Sequence, residues 1–158
     1  MDFGSEFRKQ FRTTLIISGS LIGSLFLYAI LVELIRTQMR PFQGVFVSAL
    51  SRQSLRYLFY GAAAAAVILV RFVGRAMLKA PPGESPPQLV ARLGRAAIMT
   101  TALGEIPAVL GFALFLLTGL SRDFYVLAFV SLFLEFMYFP RLRVWQDIVR
   151  EKFPQLGL

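Results

Sequence analysis

Residues 97–119 read Ala-Ile-Met-Thr-Thr-Ala-Leu-Gly-Glu-Ile-Pro-Ala-Val-Leu-Gly-Phe-Ala-Leu-Phe-Leu-Leu-Thr-Gly. A helix of this length is sufficient to cross a bilayer, which requires about 20 predominantly apolar residues. Its single charged residue, Glu105, lies near the middle. A carboxylate at the centre of a membrane helix costs about 2.5–3.5 kcal/mol on insertion scales. Glu105 is therefore the first candidate for a functional residue.

Three further segments have the same character. The whole chain is 56% hydrophobic and only 16% charged, whereas a soluble domain has about 25% charged residues. We predict an all-α polytopic membrane protein in which residues 1–158 form one domain. The first apolar run is longer than that of a cleavable signal peptide and is expected to be retained. The four predicted transmembrane helices cover residues 13–35, 55–74, 96–119 and 124–139.

The distribution of Lys and Arg predicts the orientation. Four spans place both termini on one side, and that side carries twelve of the 17 basic residues. Cytoplasmic loops of membrane proteins are enriched in Lys and Arg, so we expect both termini in the cytoplasm, most simply that of a bacterium. The twelve are Arg8, Lys9, Arg12, Arg71, Arg75, Lys79, Arg92, Arg95, Arg141, Arg143, Arg150 and Lys152.

Two shorter segments have the pattern of interfacial amphipathic helices. In the connection between the first two spans, Phe42, Val45, Phe46, Ala49 and Leu50 recur at helical spacing, which predicts a short helix on the outer membrane surface. Residues 141–153 place apolar and basic side chains on opposite faces. This predicts a cytoplasmic helix anchored in lipid by Trp145.

Small residues indicate where helices approach closely. Gly19 and Gly23 form a G-x-x-x-G pattern, and Gly61 precedes five consecutive alanines. Small residues let helix backbones come together in lipid. We expect the first two helices to pack tightly through these faces, with a homodimer contact as the alternative. Ser85 and Gln88 have the three-residue spacing of a capping box, and Pro86 suits the first helical position, which together predict a helix start.

Composition excludes several classes of function. The chain has no cysteine and no histidine, which removes thiolate and imidazole metal sites, histidine-ligated haem, iron–sulfur clusters and catalysis by either residue. No phosphate-binding glycine motif occurs. We expect no cofactor, no metal ion and no enzymatic activity. The remaining alternative is a lipid-active enzyme that works through Glu and Asp alone. The positive-inside bias accounts for the net charge of +8 without nucleic acid.

Glu135 is the second intramembrane acid of interest. It lies on the fourth predicted helix, which a short hairpin makes the neighbour of the third. Pro107, two residues after Glu105, is expected to kink the third helix because it removes a backbone donor. Arg71, near the cytoplasmic end of the second helix, is a possible charge partner for Glu135.

Two interpretations of these charges are open. In the structural one, Glu135 pairs with Arg71, and Glu105 is neutral or hydrogen-bonded to Thr100, Thr101 or the carbonyl freed by Pro107. In the functional one, Glu105 binds a proton or a cation, and Glu135 is a relay or a second ligand. Neither the spacing nor the composition decides between them.

Two resemblances bear on these interpretations. The stretch Ala102-Leu-Gly-Glu-Ile-Pro-Ala-Val-Leu-Gly-Phe-Ala-Leu-Phe-Leu-Leu resembles the carboxylate-bearing helix of the rotor-ring proteolipids of ATP synthases. That likeness implies ion or proton binding at Glu105. In duplicated proteolipids, however, the ion-binding carboxylate lies on the last helix, whereas Glu105 lies on the third.

The C-terminal half is similar to small four-helix bacterial membrane proteins of uncharacterised function. The similarity rests on E-x-x-A-x-x-G at 105–111, on Asp123-Phe-Tyr and on Phe139-Pro-Arg followed by Trp145. It implies a four-helix membrane fold and no particular activity. We therefore expect a non-catalytic subunit or accessory component of a larger membrane complex, in contact with lipids and with other membrane subunits or further copies of itself. Proton or cation translocation through Glu105 is the alternative.

Overall fold

A computed structural model describes residues 3–39, 41–45, 49–79 and 83–155. Within these ranges the chain is helical, with no strand. The capping-box prediction is confirmed at the start of the third helix, where the Ser85 N–H donates to the Gln88 side chain at 3.0 Å. The helices are α1 (Phe3–Gln38), α2 (Ala49–Leu78), α3 (Pro86–Thr118), α4 (Ser121–Tyr138) and α5 (Leu142–Lys152).

Three of these helices are long and apolar enough to cross a membrane. They are α1, α3 and the Arg52–Leu78 part of α2. The fourth helix, α4, passes the same test only together with α5, from which it is bent by 40°. Each predicted span lies within one observed helix to within a residue.

The helix α3 is the centre of the bundle and contacts all four other helices. Two apolar clusters lie toward its ends. Near the start of α3, Leu89 and Leu93 pack with Phe7 of α1 and Trp145 of α5. The other cluster, near the end of α3, consists of Val32, Phe115 and Phe124. Because Phe7 and α5 belong to one cluster, the two ends of the described chain lie at the same end of the bundle.

The close helix contact is between α3 and α4, not between α1 and α2. A Cβ added at Gly111 would lie 2.9 Å from the Leu127 Cβ and 3.2 Å from the Phe124 Cα. Ala108 on the same face of α3 is fully buried.

The predicted packing of α1 on α2 through small residues is not observed. A Cβ added at Gly19, Gly23 or Gly61 would meet no atom within 4 Å. The physical reason is that α3 takes up the inner faces of both helices, which leaves these glycines on outer surfaces. This arrangement does not test the alternative, in which these glycines form a homodimer contact.

The connection between α1 and α2 does not form the predicted amphipathic helix in its described part. Residues 41–45 are irregular, Ala49 and Leu50 begin α2, and Phe46 lies outside the described residues. The irregular segment packs on the end of α3, and the Val45 N–H donates to the Leu116 carbonyl at 3.2 Å.

Two glycines permit this contact between backbones. Gly44 has φ 82° and Gly119 has φ 75°, values in the left-handed region that favours glycine. A Cβ at Gly44 would lie 2.5 Å from the Leu117 carbonyl oxygen, and one at Gly119 would lie 2.7 Å from that of Phe42. Backbone hydrogen bonding to α3 thus replaces the helix that the apolar spacing predicted.

The C-terminal helix forms at the predicted place, but its tryptophan faces inward. Trp145 is only 5% exposed and packs edge-on against Phe7 and Phe11, with ring centroids 6.4 and 5.3 Å away. It is therefore a core residue here rather than the lipid anchor that was predicted. Burying an aromatic ring of this size is a main reason for α5 to dock on the bundle.

Candidate functional site

Pro107 lies inside α3, which continues through it as a helix. Proline lacks the N–H that would bond the carbonyl of Leu103 four residues earlier. The next residue is also unusual, because the Ala108 N–H donates to the Ser131 hydroxyl of α4 at 2.8 Å. The proline thus lies beside a hydrogen bond that joins the α3 backbone to α4.

Glu105 is half-buried and faces α1. Its Oε1 accepts a hydrogen bond from the Tyr28 hydroxyl at 2.9 Å and is in close hydrogen-bond contact with the Ser24 hydroxyl. Ser24 and Tyr28 are four residues apart, so they lie on one face of α1. Two hydroxyl groups therefore hold one oxygen of the carboxyl group.

The hydrogens around Glu105 fit two protonation states. Ser24 Oγ also lies 2.6 Å from the Leu21 carbonyl oxygen, which can only accept. If Glu105 is ionised, Ser24 and Tyr28 both donate to it. If Glu105 is protonated, it donates to Ser24, and Ser24 donates to Leu21. The same atomic positions thus provide hydrogen-bond partners for the Glu105 carboxyl group with or without its proton.

Glu135 is fully buried, with 0% of its surface exposed. Within the described part of the chain, neither of its carboxyl oxygens has a hydrogen-bond partner. Its Cγ lies 3.6 Å from the position of a Cβ at Gly104, the residue before Glu105. α4 therefore presses an unpartnered carboxyl group against the helix turn that carries Glu105.

The predicted partners of the two acids lie elsewhere. Arg71 is exposed and makes no ion pair with Glu135. Thr100 and Thr101 donate to carbonyl oxygens one turn earlier in α3, at Ala96 and Ala97, both at 2.8 Å. Two parts of the structural interpretation, the Arg71–Glu135 pair and the threonine contacts, are therefore not observed, while a neutral Glu105 and its contact with the carbonyl freed by Pro107 stay predictions.

The other strongly buried acids have cationic partners. Asp123, only 5% exposed, binds Arg56 of α2 through two contacts at 2.9 and 3.0 Å and accepts from Tyr60 at 3.0 Å. Glu84 lies between Arg92 at 2.8 Å and Lys152 at 2.7 Å. The hydrogen bond from Arg92, aided by Lys152, lowers the pKa of Glu84 below its usual range.

Two carboxyl groups in a low-dielectric interior repel when both are ionised. An arrangement of this kind is stable when the pair holds one positive charge, either a proton or a cation. Within residues 3–39, 41–45, 49–79 and 83–155, no group of three or more acidic side chains of the kind that holds a metal ion occurs. A single proton on either group leaves one negative charge in the pair in place of two.

The site also contains Ser24, Tyr28 and Ser131, which were not among the residues predicted from the sequence. One signal was present, because Ser24 and Tyr28, like Ser131 and Glu135, are four residues apart and thus share a helix face. No pattern in the chain indicated that α1 would supply the hydroxyl groups, since that depends on which helix packs beside Glu105.

The chain was compared with protein-family models, with characterised proteins and with solved structures, and nothing matches it. The two resemblances noted in the sequence therefore stay predictions.

Proposed function

We propose that this chain spans a membrane four times, with α4 and the bend into α5 completing the fourth crossing, and that both termini lie in the cytoplasm. Three helices long and apolar enough to cross a membrane support the location. The contact of Phe7 with Trp145 supports an even number of crossings. The excess of Lys and Arg at that end supports its cytoplasmic side.

We further propose that the protein binds and transfers a proton at Glu105 and Glu135. The observation that carries the proposal is the fully buried carboxyl group of Glu135, which has no partner among the described residues and lies against the Glu105 turn. Ionisable groups inside membrane segments are costly and mark ion or proton pathways. Monovalent cation binding is the alternative, and the hydroxyl arrangement around Glu105, which fits both protonation states, favours the proton.

The two acids have different roles in this proposal. Glu105 is half-buried and hydrogen-bonded, so it receives the proton first. Transfer then breaks the O–H bond at Glu105 and forms one at Glu135, while Ser24 and Tyr28 rotate to donate to the newly ionised Glu105. The apolar clusters on either side restrict water access to the pair.

Proton flux into liposomes tests the proposal. Purified protein is reconstituted with a pH-sensitive dye inside, and an imposed potential drives proton entry. We expect Glu105→Gln and Glu135→Gln each to reduce the flux at least about tenfold, since loss of a general acid or base group costs 10²–10⁴-fold in comparable transfers. Glu33→Gln is the matched control. Glu33 of α1 accepts a hydrogen bond from the Tyr125 hydroxyl of α4 at 2.5 Å, but it is partly exposed.

The outcomes separate the alternatives. Flux equal in wild type and both variants, or none in any of them, contradicts proton transfer at this pair. Flux that requires sodium or potassium and is lost in the variants assigns the site to a cation. A hydrophobic carbodiimide that labels Glu105 at neutral pH, and labels it more after Tyr28→Phe removes a donor that favours the carboxylate, supports a protonated carboxyl group accessible from the lipid.

A second candidate function is that of a non-enzymatic subunit or accessory component of a larger membrane complex. Its support is the outward face of α1, where Gly19 and Gly23 have open space beside them and Phe26 and Ile30 are more than half exposed. Helix partners in lipid approach through small residues of this kind. Cross-linking from a residue placed at position 23 in native membranes, followed by identification of the product, tests it, and an uncross-linked monomer contradicts it.

A further inference from the structure

A cleft of about 510 Å³ opens at the end of the bundle where α5 lies. It is bounded by α2, by the first half of α3, and by the corner between α4 and α5. Its lining is mostly aliphatic and aromatic, including Leu78, Met137 and Ile148. A volume of this size is typical of sites for small ligands and lipid head groups.

Three arginines stand around this apolar cleft. Arg71 and Arg75 line it from α2, and Arg141 lines it from the α4–α5 corner. All three are exposed. Arg71 and Arg75 are one helix turn apart, so their charges repel. None of the three makes an ion pair within the described ranges.

The contrast with other basic residues of the bundle is informative. At the same end, Arg92 and Lys152 pair with Glu84. At the opposite end, Arg56 pairs with Asp123. The chain thus provides acidic partners for these cations and leaves the three cleft arginines grouped together. An external anion that several guanidinium groups can bind at once would relieve the repulsion between them.

We propose that this cleft binds one anionic phospholipid, with its phosphate between Arg71, Arg75 and Arg141 and the start of its acyl chains against Leu78 and Ile148. Basic pockets between membrane helices on the cytoplasmic side bind lipid head groups of this chemistry. The apolar lining selects a lipid over a free anion, because it would be left uncovered by phosphate alone. The proposal rests on the membrane location given above and is independent of proton transfer at Glu105 and Glu135.

Trp145 provides a built-in reporter for the test. It is the single tryptophan of the chain, and it lines the cleft. Phospholipids with brominated acyl chains quench tryptophan fluorescence at short range. The protein is placed in phosphatidylcholine vesicles into which brominated phosphatidylglycerol, or brominated phosphatidylcholine as the neutral comparison, is titrated. We expect phosphatidylglycerol to quench Trp145 at several-fold lower mole fraction.

The variant Arg71→Gln/Arg75→Gln is expected to reduce this several-fold preference to near unity, since each basic residue near an anionic lipid surface contributes about a factor of five. Arg95→Gln/Arg143→Gln removes the same charge at the same end of the bundle, outside the cleft, and is expected to leave the preference unchanged. Arg71→Lys/Arg75→Lys keeps the charge and is expected to retain most of it.

An unchanged emission maximum and helical content show that each variant is folded. Equal quenching by the two lipids in wild type overturns the proposal, and so does an equal loss of preference in both double glutamine variants. Displacement of quenching by millimolar inorganic phosphate would assign the arginines to a free anion and would also overturn it. The two proposals can fail separately. If no protein shows proton flux while wild type keeps its lipid preference, proton transfer is contradicted and the lipid site is supported.

Discussion

Glu84 and Glu135 are both buried acids, but their surroundings differ. Glu84 lies at the end of the bundle between Arg92 and Lys152, and Arg92 also donates to the Met77 carbonyl oxygen at 3.1 Å. Glu135 lies in the bundle between the two apolar clusters, with no partner for either oxygen in the described residues. Glu84 thus connects α3, α5 and the end of α2, whereas Glu135 connects nothing.

In the proposed function, this difference separates a structural acid, Glu84, from a functional one, Glu135. A buried acid with two cations contributes to stability because removing it leaves those cations uncompensated. A buried acid without a partner reduces stability, and its presence calls for a use other than folding. This contrast predicts opposite effects for the same substitution at the two positions.

The largest expected effect on stability is that of Glu84→Gln. The substitution leaves Arg92 and Lys152 without their anion, and we expect a loss of about 3 kcal/mol in the free energy of unfolding. Glu135→Gln is the matched change and is expected to leave the stability equal or higher, since it removes an unpartnered carboxyl group. Denaturation in detergent micelles, followed by helical circular dichroism, measures both. Equal destabilisation by the two variants would contradict the contrast.

Gly111→Ala tests whether α4 holds Glu135 by close contact with α3. The added methyl group would lie 2.9 Å from Leu127 and 3.2 Å from the Phe124 backbone, which cannot move without shifting α4. We expect a loss of about 2 kcal/mol, as for other overpacked positions. Gly19→Ala adds the same methyl group in open space and is the control. A neutral Gly111→Ala would show that the helices are less closely packed than described.

Tyr28→Phe sharpens the comparison at Glu105, the acid that has hydroxyl partners. The change removes one hydrogen bond of 2.9 Å and keeps the ring that stacks on Phe112, 5.6 Å away between centroids. We expect a loss of about 1 kcal/mol in stability and a shift in the pH dependence of proton flux. Tyr57→Phe, an exposed tyrosine of α2, is the control. An unchanged pH profile would remove Tyr28 from the proposed site.

The pH dependence of stability gives the smallest signal. The pKa of Glu84 is lowered by Arg92 and Lys152, so its contribution is complete above the usual carboxyl range, near pH 4–5. It is lost as the pH falls through the lowered pKa of the folded state, because protonation then breaks the ion pairs. The stability difference between wild type and Glu84→Gln should accordingly shrink below about pH 4. A difference that persists or grows in acid contradicts this assignment.

Much of the fold follows from the sequence because length and hydropathy determine membrane helices almost alone. The five helices, the start at Pro86 and the short α3–α4 connection required only local patterns. The sequence did not predict which helices pack together, because Gly19 and Gly111 cannot be told apart from a single sequence. Only packing distinguishes the open glycine from the one in contact with Leu127.

The candidate site was predictable in part for the same reason. Glu105 and Glu135 were identified by the cost of burying a carboxylate in an apolar helix. Their partners depend on helix rotation, which placed Ser24 and Tyr28 beside Glu105 and turned Arg71 away from Glu135. Apolar spacing likewise could not predict that residues 41–45 would bond to the end of α3 instead of forming a helix.

The central claim is that Glu105 and Glu135 together hold a proton, and infrared spectroscopy of the protein in lipid tests it most directly. A protonated carboxyl group in an apolar interior gives a C=O stretching band separate from those of carboxylates and amides. We predict this band in wild type at neutral pH, its loss in Glu135→Gln and its persistence in Glu84→Gln. Absence of the band in wild type, or its persistence in Glu105→Gln/Glu135→Gln, would contradict the account.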